Sequence, residues 1–143
     1  MITEANIVKI ANMNVNKSIV NAIKTKEVSE FIVFLNTDVQ LNDEGVNSLG
    51  VRLSSIGGNY APSTARKKRR NPGDVNLKDT GKFYDSFSVI VQPNGDFVIN
   101  SQPIKNGVSL FNRWGDKVEG LTKENAQLVF ERIEELIIHE LLE

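Results

Sequence analysis

The sequence predicts an α+β fold in which helices pack on a small antiparallel sheet, with a central β-hairpin, a long basic loop and a C-terminal helix. Apolar residues at helical spacing near both ends, and an Asn-Gly turn between two alternating apolar runs, indicate this class. A chain of 143 residues has the usual size of one domain. We expect a single domain over 1–143, with a helical part over 1–42, an extended loop or arm over 43–79, and the hairpin with the C-terminal helices over 80–143.

Three helices are expected in the N-terminal part. The first covers residues 3–13 with Thr3 as N-cap, the second covers 17–24 and the third covers 27–41. The third has apolar residues on one helical face, namely Val28, Phe31, Ile32, Leu35 and Val39. The inner stretch 31–35 also fits a buried strand, so the choice between helix and strand stays open there.

The segment 45–79 is rich in glycine, serine and proline and shows weak apolar periodicity. Turn signals lie at 54–59 and 71–74, and residues 63–70 between them are long enough for two helical turns after Pro62. Long irregular segments in compact domains are usually functional or become ordered on a partner. We therefore expect an arm that has no apolar core of its own and projects outward.

The second half of the chain contains the hairpin and two further helices. Residues 87–91 and 97–99 have apolar side chains at alternate positions and flank Pro93-Asn94-Gly95-Asp96, which predicts a tight hairpin with one buried face. A short helix is expected over 105–114. A final helix over 123–142 begins after Thr122 as N-cap, and its apolar residues follow the helical period: Ala126, Val129, Phe130, Ile133, Leu136, Ile137 and Leu141.

The composition excludes several classes of protein. The absence of cysteine excludes a disulfide scaffold and a cysteine-based zinc site, and suits a reducing compartment. No apolar run approaches the roughly 18–20 residues of a membrane span, and residues 1–6 lack the pattern of a secretory signal. His139 is the only histidine, so neither a Ser-His-Asp triad nor a multi-histidine metal site can form within one chain. We expect no membrane association, no metal and no cofactor.

Charge is unevenly distributed along the chain. Residues 61–82 contain seven cations and two aspartates, a net charge of +5, whereas residues 119–143 contain seven glutamates and two cations, a net charge of −5. Such a chain can pair end to end with copies of itself or offer opposite faces to different partners. Two solvated faces that never meet are the open alternative.

Five consecutive cations form a basic cluster, consisting of Arg66, Lys67, Lys68, Arg69 and Arg70. They are suited to contacts with phosphates that do not read base sequence. No aromatic residue besides Tyr60 accompanies them, which argues against a base-stacking surface. Docking on an acidic protein partner and a merely solvated loop are the alternatives.

Asp79-Thr80-Gly81 matches the tripeptide of aspartic proteases, in which two such aspartates share a proton. The flanking Lys78 and Lys82 do not fit an aspartate that emerges from an apolar strand. A loop that enters a helical turn reaching Ser86, capped by Asp79 or Thr80, explains the residues better. We therefore expect no enzymatic activity.

Two short motifs lie between residues 43 and 91. The first consists of Tyr60, Thr64 and Lys67 or Lys68, and the second consists of Leu77, Thr80, Gly81, Phe83 and Ser86. They resemble the small morphogenesis proteins of tailed bacteriophages, of the neck and tail-completion type, in which Leu-x-x-Thr-Gly-x-Leu/Phe-x-x-Ser precedes a β-hairpin. The likeness covers about a third of the chain, and residues 109–115 depart from the commoner family pattern after the hairpin.

The resemblance implies a non-enzymatic ring subunit of the virion, assembled in the host cytoplasm, between the portal or connector and the tail proteins. It also implies helices on a small antiparallel sheet, and a basic loop that reaches a neighbouring subunit or the packaged DNA. Ring symmetry multiplies weak contacts, so assembly through charged segments is feasible. A small nucleic-acid-binding accessory protein that uses residues 66–70 is the alternative.

Overall fold

The computed structural model describes residues 4–5 and 15–142. The helix expected over 3–13 lies outside these residues, apart from residues 4–5, which are helical. Helices and antiparallel strands are both present, so the predicted α+β class is confirmed. Within the described part of the chain, no helix is long and apolar enough to cross a membrane.

Three helical segments come first, and short elements fill the chain as far as the long final helix. The first three are α1 (Val15–Lys24), α2 (Lys26–Phe34) and a π-helical segment (Leu35–Glu44). The others are α3 (Leu53–Gly57), α4 (Pro62–Lys68), α5 (Lys82–Asp85), β1 (Ser88–Val91), β2 (Phe97–Asn100), β3 (Ile104–Lys105), β4 (Val108–Ser109), α6 (Phe111–Trp114), a 3₁₀ turn (Asp116–Val118) and α7 (Lys123–Leu142).

Residues 31–35 are helical, which decides between the two interpretations of the sequence. The Thr25 side chain caps α2 by accepting a hydrogen bond from the Val28 N–H at 3.3 Å. Val28 and Ile32 are fully buried, and α2 packs against α1, α7 and β1. Because one helical face is buried by three other elements, tertiary packing favours a helix here over a strand.

At Leu35 the α-helix widens into the π-helical segment, which continues to Glu44. Such widening is rare, and a side chain that bonds to a carbonyl of its own helix favours a local change of this kind. The Thr37 hydroxyl donates to the Val33 carbonyl at 2.8 Å, at the junction between the two helix types. The segment ends at Gly45, whose φ of 65° lies in the left-handed region that glycine adopts without strain.

Two buried amides of the π-helical segment, Asn36 and Gln40, hold the chain that precedes α7, and we call them the amide clamp. Asn36 donates to the Val118 carbonyl at 2.9 Å and accepts a hydrogen bond from the Gly120 N–H at 2.8 Å. Both amides are completely buried. Buried amides of this kind require partners, so each of these bonds determines the path of the chain from the 3₁₀ turn into α7.

Gln40 makes three of the bonds in the clamp. Its Nε2 donates to the Gly120 carbonyl at 2.9 Å. Its Oε1 accepts from the Thr122 N–H at 2.9 Å and from Asn125 Nδ2 at 2.8 Å. Gln40 therefore positions the residue that caps α7 as well as the first buried turn of that helix.

Helix α7 begins where the sequence predicts it, because Thr122 Oγ1 accepts a hydrogen bond from the Asn125 N–H at 3.3 Å. Its buried stripe follows Asn125, Val129 and Ile133, each four residues from the last. Two of the apolar residues at the helical period, Ala126 and Phe130, are exposed, Phe130 at 58%. The reason is that α7 packs against α1 and α2 along a narrow stripe, which Phe130 lies beside.

The predicted central hairpin is present. Strands β1 and β2 are antiparallel, with Val91 opposite Phe97. Ile99 is buried while Ile90 and Val98 are exposed, so one face is covered as the alternation predicts. The connection covers residues 92–96 and is longer than a two-residue turn, and in its Asn-Gly pair only Gly95 takes a positive φ, of 93°.

A second hairpin replaces most of the helix predicted over 105–114. Strands β3 and β4 pair antiparallel, and only α6 remains helical. Asn106 and Gly107 join the strands with φ values of 53° and 78°, as a two-residue hairpin turn with two left-handed residues requires. A second Asn-Gly pair, of the kind that predicts the first hairpin, therefore forms this turn. The prediction of a helix over 105–114 did not take this pair into account.

The segment 43–79 is not an outward arm, so this prediction was wrong. It contains α3 and α4, the latter over the residues expected to form two helical turns. Five of its apolar side chains are buried in the single core cluster: Leu53, Tyr60, Ala65, Val75 and Leu77. The weak periodicity misled because Leu53 and Ala65 lie in two different short helices and the other three lie in irregular stretches, so no single helix or strand repeats the pattern.

Close packing between α3 and α6 makes Gly57 sensitive to substitution. A Cβ at Gly57 would lie 2.3 Å from Cε3 of the buried Trp114 ring. We expect Gly57→Ala to lower the free energy of unfolding by about 2 kcal/mol, because the ring or the backbone must shift. Urea unfolding of this variant beside Ser55→Ala, an exposed position in α3, provides the measurement and its control. Equal stability of the two variants would show that the Trp114 ring or the backbone can move aside without loss of stability.

Candidate functional site

The middle of the chain is organised around the buried hydroxyl of Tyr60. This oxygen accepts hydrogen bonds from the backbone N–H groups of Asn76 at 3.1 Å and Leu77 at 2.9 Å, and it donates to Asn76 Oδ1 at 3.2 Å. The Tyr84 hydroxyl donates to the Asn76 carbonyl at 2.5 Å, and burial raises the pKa of Tyr84 well above its usual value. The two tyrosines hold Leu77 in the left-handed region, with a φ of 60°.

A cleft of about 660 Å³ lies beside these tyrosines, and we call it the cationic cleft. Residues of α4, α5, α6 and the second hairpin line it. The fold brings five of the seven non-basic motif residues into its wall: Tyr60, Thr64, Leu77, Thr80 and Phe83. The two sequence motifs therefore describe a single place in the structure, although they are separated in the chain.

The lining of this cleft is positively charged. Four cations contribute to it: Lys68, Lys82, Lys105 and Arg113. The carboxylate among the lining residues is that of Asp79, whose Oδ2 lies 2.6 Å from Lys105 Nζ. A concave surface with an excess of cations attracts carboxylates or phosphates.

Asp79 itself has the wrong electrostatics for a proton-sharing aspartate. It is exposed, and its hydrogen bond with Lys105 holds the pKa of its carboxyl below the usual value. The side chain is therefore ionised near neutral pH, whereas a protease pair shares a proton. Partial burial lowers the pKa of Lys68, against the opposing effect of Asp79.

The five cations of the basic cluster do not share one surface. Lys68 lines the cleft, where its Nζ donates to the Lys78 carbonyl and lies 5.0 Å from the centre of the Tyr60 ring. Arg70 donates instead to the carbonyls of Asp74 at 3.0 Å and Asn42 at 3.3 Å. The other three side chains are exposed: Arg66, Lys67 and Arg69. Helix α4 ends within the cluster, which turns its side chains in different directions.

The remaining motif residues have structural roles around α5. Thr80 Oγ1 accepts a hydrogen bond from the Lys82 N–H at 3.4 Å, and Gly81 takes a φ of 90° where the chain enters the helix. Ser86 Oγ accepts a hydrogen bond from the Gln102 N–H at 2.9 Å. The second motif is therefore a loop-to-helix entry, as the sequence suggested, and it ties α5 to the segment after β2.

Several residues of the cleft lie outside the sequence motifs, and Lys105, Arg113 and Trp114 are among them. Arg113 donates to the carbonyls of Gly57 at 2.7 Å and Asn59 at 2.9 Å, and its guanidinium lies 4.4 Å from the centre of the Trp114 ring. These three residues were missed because the sequence predicted one helix over 105–114. A hairpin turn at Asn106-Gly107 was the signal that would have separated Lys105 from α6.

No group of three or more histidine, cysteine, aspartate or glutamate residues could hold a metal ion among the residues that the structure describes. His139 and Glu135 are both exposed on α7. Neither lies in the cationic cleft.

No family model, curated protein or solved structure matches the chain. The cationic cleft and the charged surfaces around it are therefore the features that point to a function.

Proposed function

We propose that this protein is a structural, non-enzymatic subunit of the head–tail junction of a tailed bacteriophage. It belongs to the neck, the connector or the tail-completion ring, and it assembles as a symmetric homo-oligomer that contacts portal and tail proteins. The observation that supports this most is that one small chain has two exposed surfaces of opposite charge. The positive surface consists of α4 and the cationic cleft, and the negative surface is helix α7.

Among the described residues, no salt bridge joins these two surfaces of opposite charge within one copy. The salt bridges between described residues are those of Lys26 with Glu30, Lys105 with Asp79, and Arg132 with Glu27 and Glu135. None of these joins the basic cluster or the cleft to α7. Both surfaces are therefore open to a second molecule.

Large apolar side chains are exposed beside these charges. Ile104 and Val108 on the second hairpin are each 60% exposed, and the exposed apolar residues of α7 are Leu128, Phe130, Ile138 and Leu142. Apolar groups exposed next to charged ones are typical of surfaces that contact other proteins. Two different surfaces of one chain that fit each other make head-to-tail contacts, which close into a ring when the rotation between copies allows it.

The proposal is tested by measuring whether the protein assembles in solution and whether it binds portal and tail proteins. Native mass spectrometry and sedimentation velocity should show a closed oligomer with a defined number of copies. High salt should weaken it, because salt screens contacts between exposed charges. The protein should also co-purify with portal or tail proteins of the same phage. A chain that stays monomeric at high concentration and low salt, and that binds none of these proteins, would refute the proposal.

A nucleic-acid-binding accessory protein is the second candidate, and the exposure of Arg66, Lys67 and Arg69 favours it. Replacing these three residues with serine should then weaken duplex DNA binding and flatten its salt dependence, because phosphate contacts release counterions. Filter binding over a salt series measures both effects. DNA binding that is absent in the natural chain, or unchanged in the variant, would eliminate this candidate.

A further inference from the structure

We propose that the cationic cleft is a docking site for the exposed face of α7 from a second copy of this chain. This inference rests on the homo-oligomeric function proposed above and names the two surfaces that meet. It assigns the contact to particular side chains, so it can fail while homo-oligomerisation stands.

Helix α7 presents a stripe in which acidic and apolar side chains share one exposed face. Its members are spaced alternately four and three residues apart, which places them on one side of an α-helix. All six are exposed: Glu124, Leu128, Glu131, Glu135, Ile138 and Leu142. We call them the acidic stripe. A purely solvated helix face needs no apolar side chains, so the mixture suits a partner surface that is both cationic and apolar.

The cationic cleft has that combination. Lys68, Lys82 and Lys105 supply the charge. Phe83 and Leu110 are half-buried and line the cleft together with Ile104, which is largely exposed. At about 660 Å³, the cleft accommodates several side chains rather than a whole helix. The acidic stripe would therefore insert side chains between the lysines while its backbone stays outside.

The stripe that enters the cleft must come from another copy. No residue of α7 lines the cleft in the structure, and α7 is held against α1 and α2 on the opposite side of its own circumference. The amide clamp further fixes the start of α7 through buried hydrogen bonds. A glutamate that arrives from a second copy meets Lys82 and Lys105, of which only Lys105 has a salt bridge, with Asp79, among the described residues.

The decisive experiment mixes two charge-reversed variants. Lys82→Glu with Lys105→Glu reverses the cleft, and Glu131→Lys with Glu135→Lys reverses the stripe. Alone, each variant places like charges at the two reversed positions, so its self-association should weaken by on the order of 100-fold. In the mixture every cleft meets a stripe of opposite sign, so oligomers should return and contain the two variants in nearly equal number. Native mass spectrometry resolves the composition.

Matched controls separate this contact from a general effect of charge. Arg66→Glu with Lys67→Glu makes the same change of charge on α4, outside the cleft lining. Glu140→Lys, compared with Glu135→Lys alone, changes a glutamate that lies roughly 140° further around α7. Both controls should assemble like the natural chain. All the changed side chains are exposed, and thermal unfolding checks that each variant folds.

Carbodiimide cross-linking gives a direct reading of the contact. A mixture of isotopically light and heavy protein should yield an intermolecular amide between Lys82 or Lys105 of one copy and Glu131 or Glu135 of another. Oligomers of the natural chain that lack this cross-link, or that persist in the reversed variants, would overturn the docking proposal alone. A natural chain that never associates would overturn the homo-oligomeric function with it.

Discussion

Replacing Gln40 with leucine is expected to lower the free energy of unfolding by about 3–5 kcal/mol, because it removes three buried hydrogen bonds. The substitution keeps a side chain of broadly similar size but removes its three hydrogen bonds. It leaves the Gly120 carbonyl, the Thr122 N–H and the Asn125 amide without these partners. Because Gln40 is completely buried, water cannot replace the bonds without opening the structure.

Urea unfolding monitored by circular dichroism measures the effect, and Asp38→Ala is the matched control. Asp38 lies in the same π-helical segment but is exposed, so its replacement should change stability by less than about 0.5 kcal/mol. The loss in Gln40→Leu should appear together with faster hydrogen exchange at the start of α7, because the clamp positions Thr122. A loss below about 1 kcal/mol would mean that the clamp does not hold α7.

Replacing Tyr60 with phenylalanine is expected to cost about 2–4 kcal/mol. The hydroxyl accepts two backbone hydrogen bonds, from Asn76 and Leu77, and donates a third to Asn76 Oδ1. Phenylalanine keeps the ring and its contact with Trp114, whose centre lies 6.3 Å away. The change therefore isolates the hydroxyl. It leaves the buried N–H groups of Asn76 and Leu77 without this partner, and Leu77 already adopts a left-handed conformation.

Tyr84→Phe is the matched comparison, because the Tyr84 hydroxyl makes one hydrogen bond, to the Asn76 carbonyl. We expect it to cost about 1 kcal/mol. Chemical unfolding of both variants should therefore rank Tyr60→Phe as clearly the less stable. If the two variants were equally stable, or if Tyr60→Phe behaved like the natural chain, the segment around Asn76 would have to be held by contacts other than these hydroxyls.

These two hydroxyls also bear on function. The wall of the cationic cleft contains both Tyr60 and Leu77, so the hydrogen bonds that stabilise the middle of the chain also shape the proposed docking site. A milder destabilisation of this region should therefore weaken self-association before it unfolds the protein. Five residues of the two short motifs therefore contribute to the shape of one cleft.

Some elements could be predicted because their signals are local. The first hairpin follows from Asn94-Gly95 between alternating apolar residues, and α7 follows from the cap at Thr122 and the helical period after it. Helix α4 follows from Pro62 and the turn signals around it. In each case neighbouring residues supply the capping group, the turn conformation or the periodicity, so the distant chain is not needed.

Other features depended on contacts between residues far apart in the chain. Gln40 reaches residues 120–125, and the Tyr60 hydroxyl reaches Asn76 and Leu77. A polar side chain in a sequence looks the same whether it faces water or a buried carbonyl, so the amide clamp left no local signal. The five cations at 66–70 likewise form one run in the sequence, and only the end of α4 separates their directions.

The sequence by itself determined the fold class, the central hairpin, the final helix and the opposed charges of the two regions, because each follows from spacing and composition along the chain. The tertiary structure alone decided that apolar side chains of 43–79 belong to the core and that five scattered motif residues line one cationic cleft. The physical reason is that short segments bury single side chains against distant partners. Such burial leaves no periodic pattern of apolar residues in the sequence.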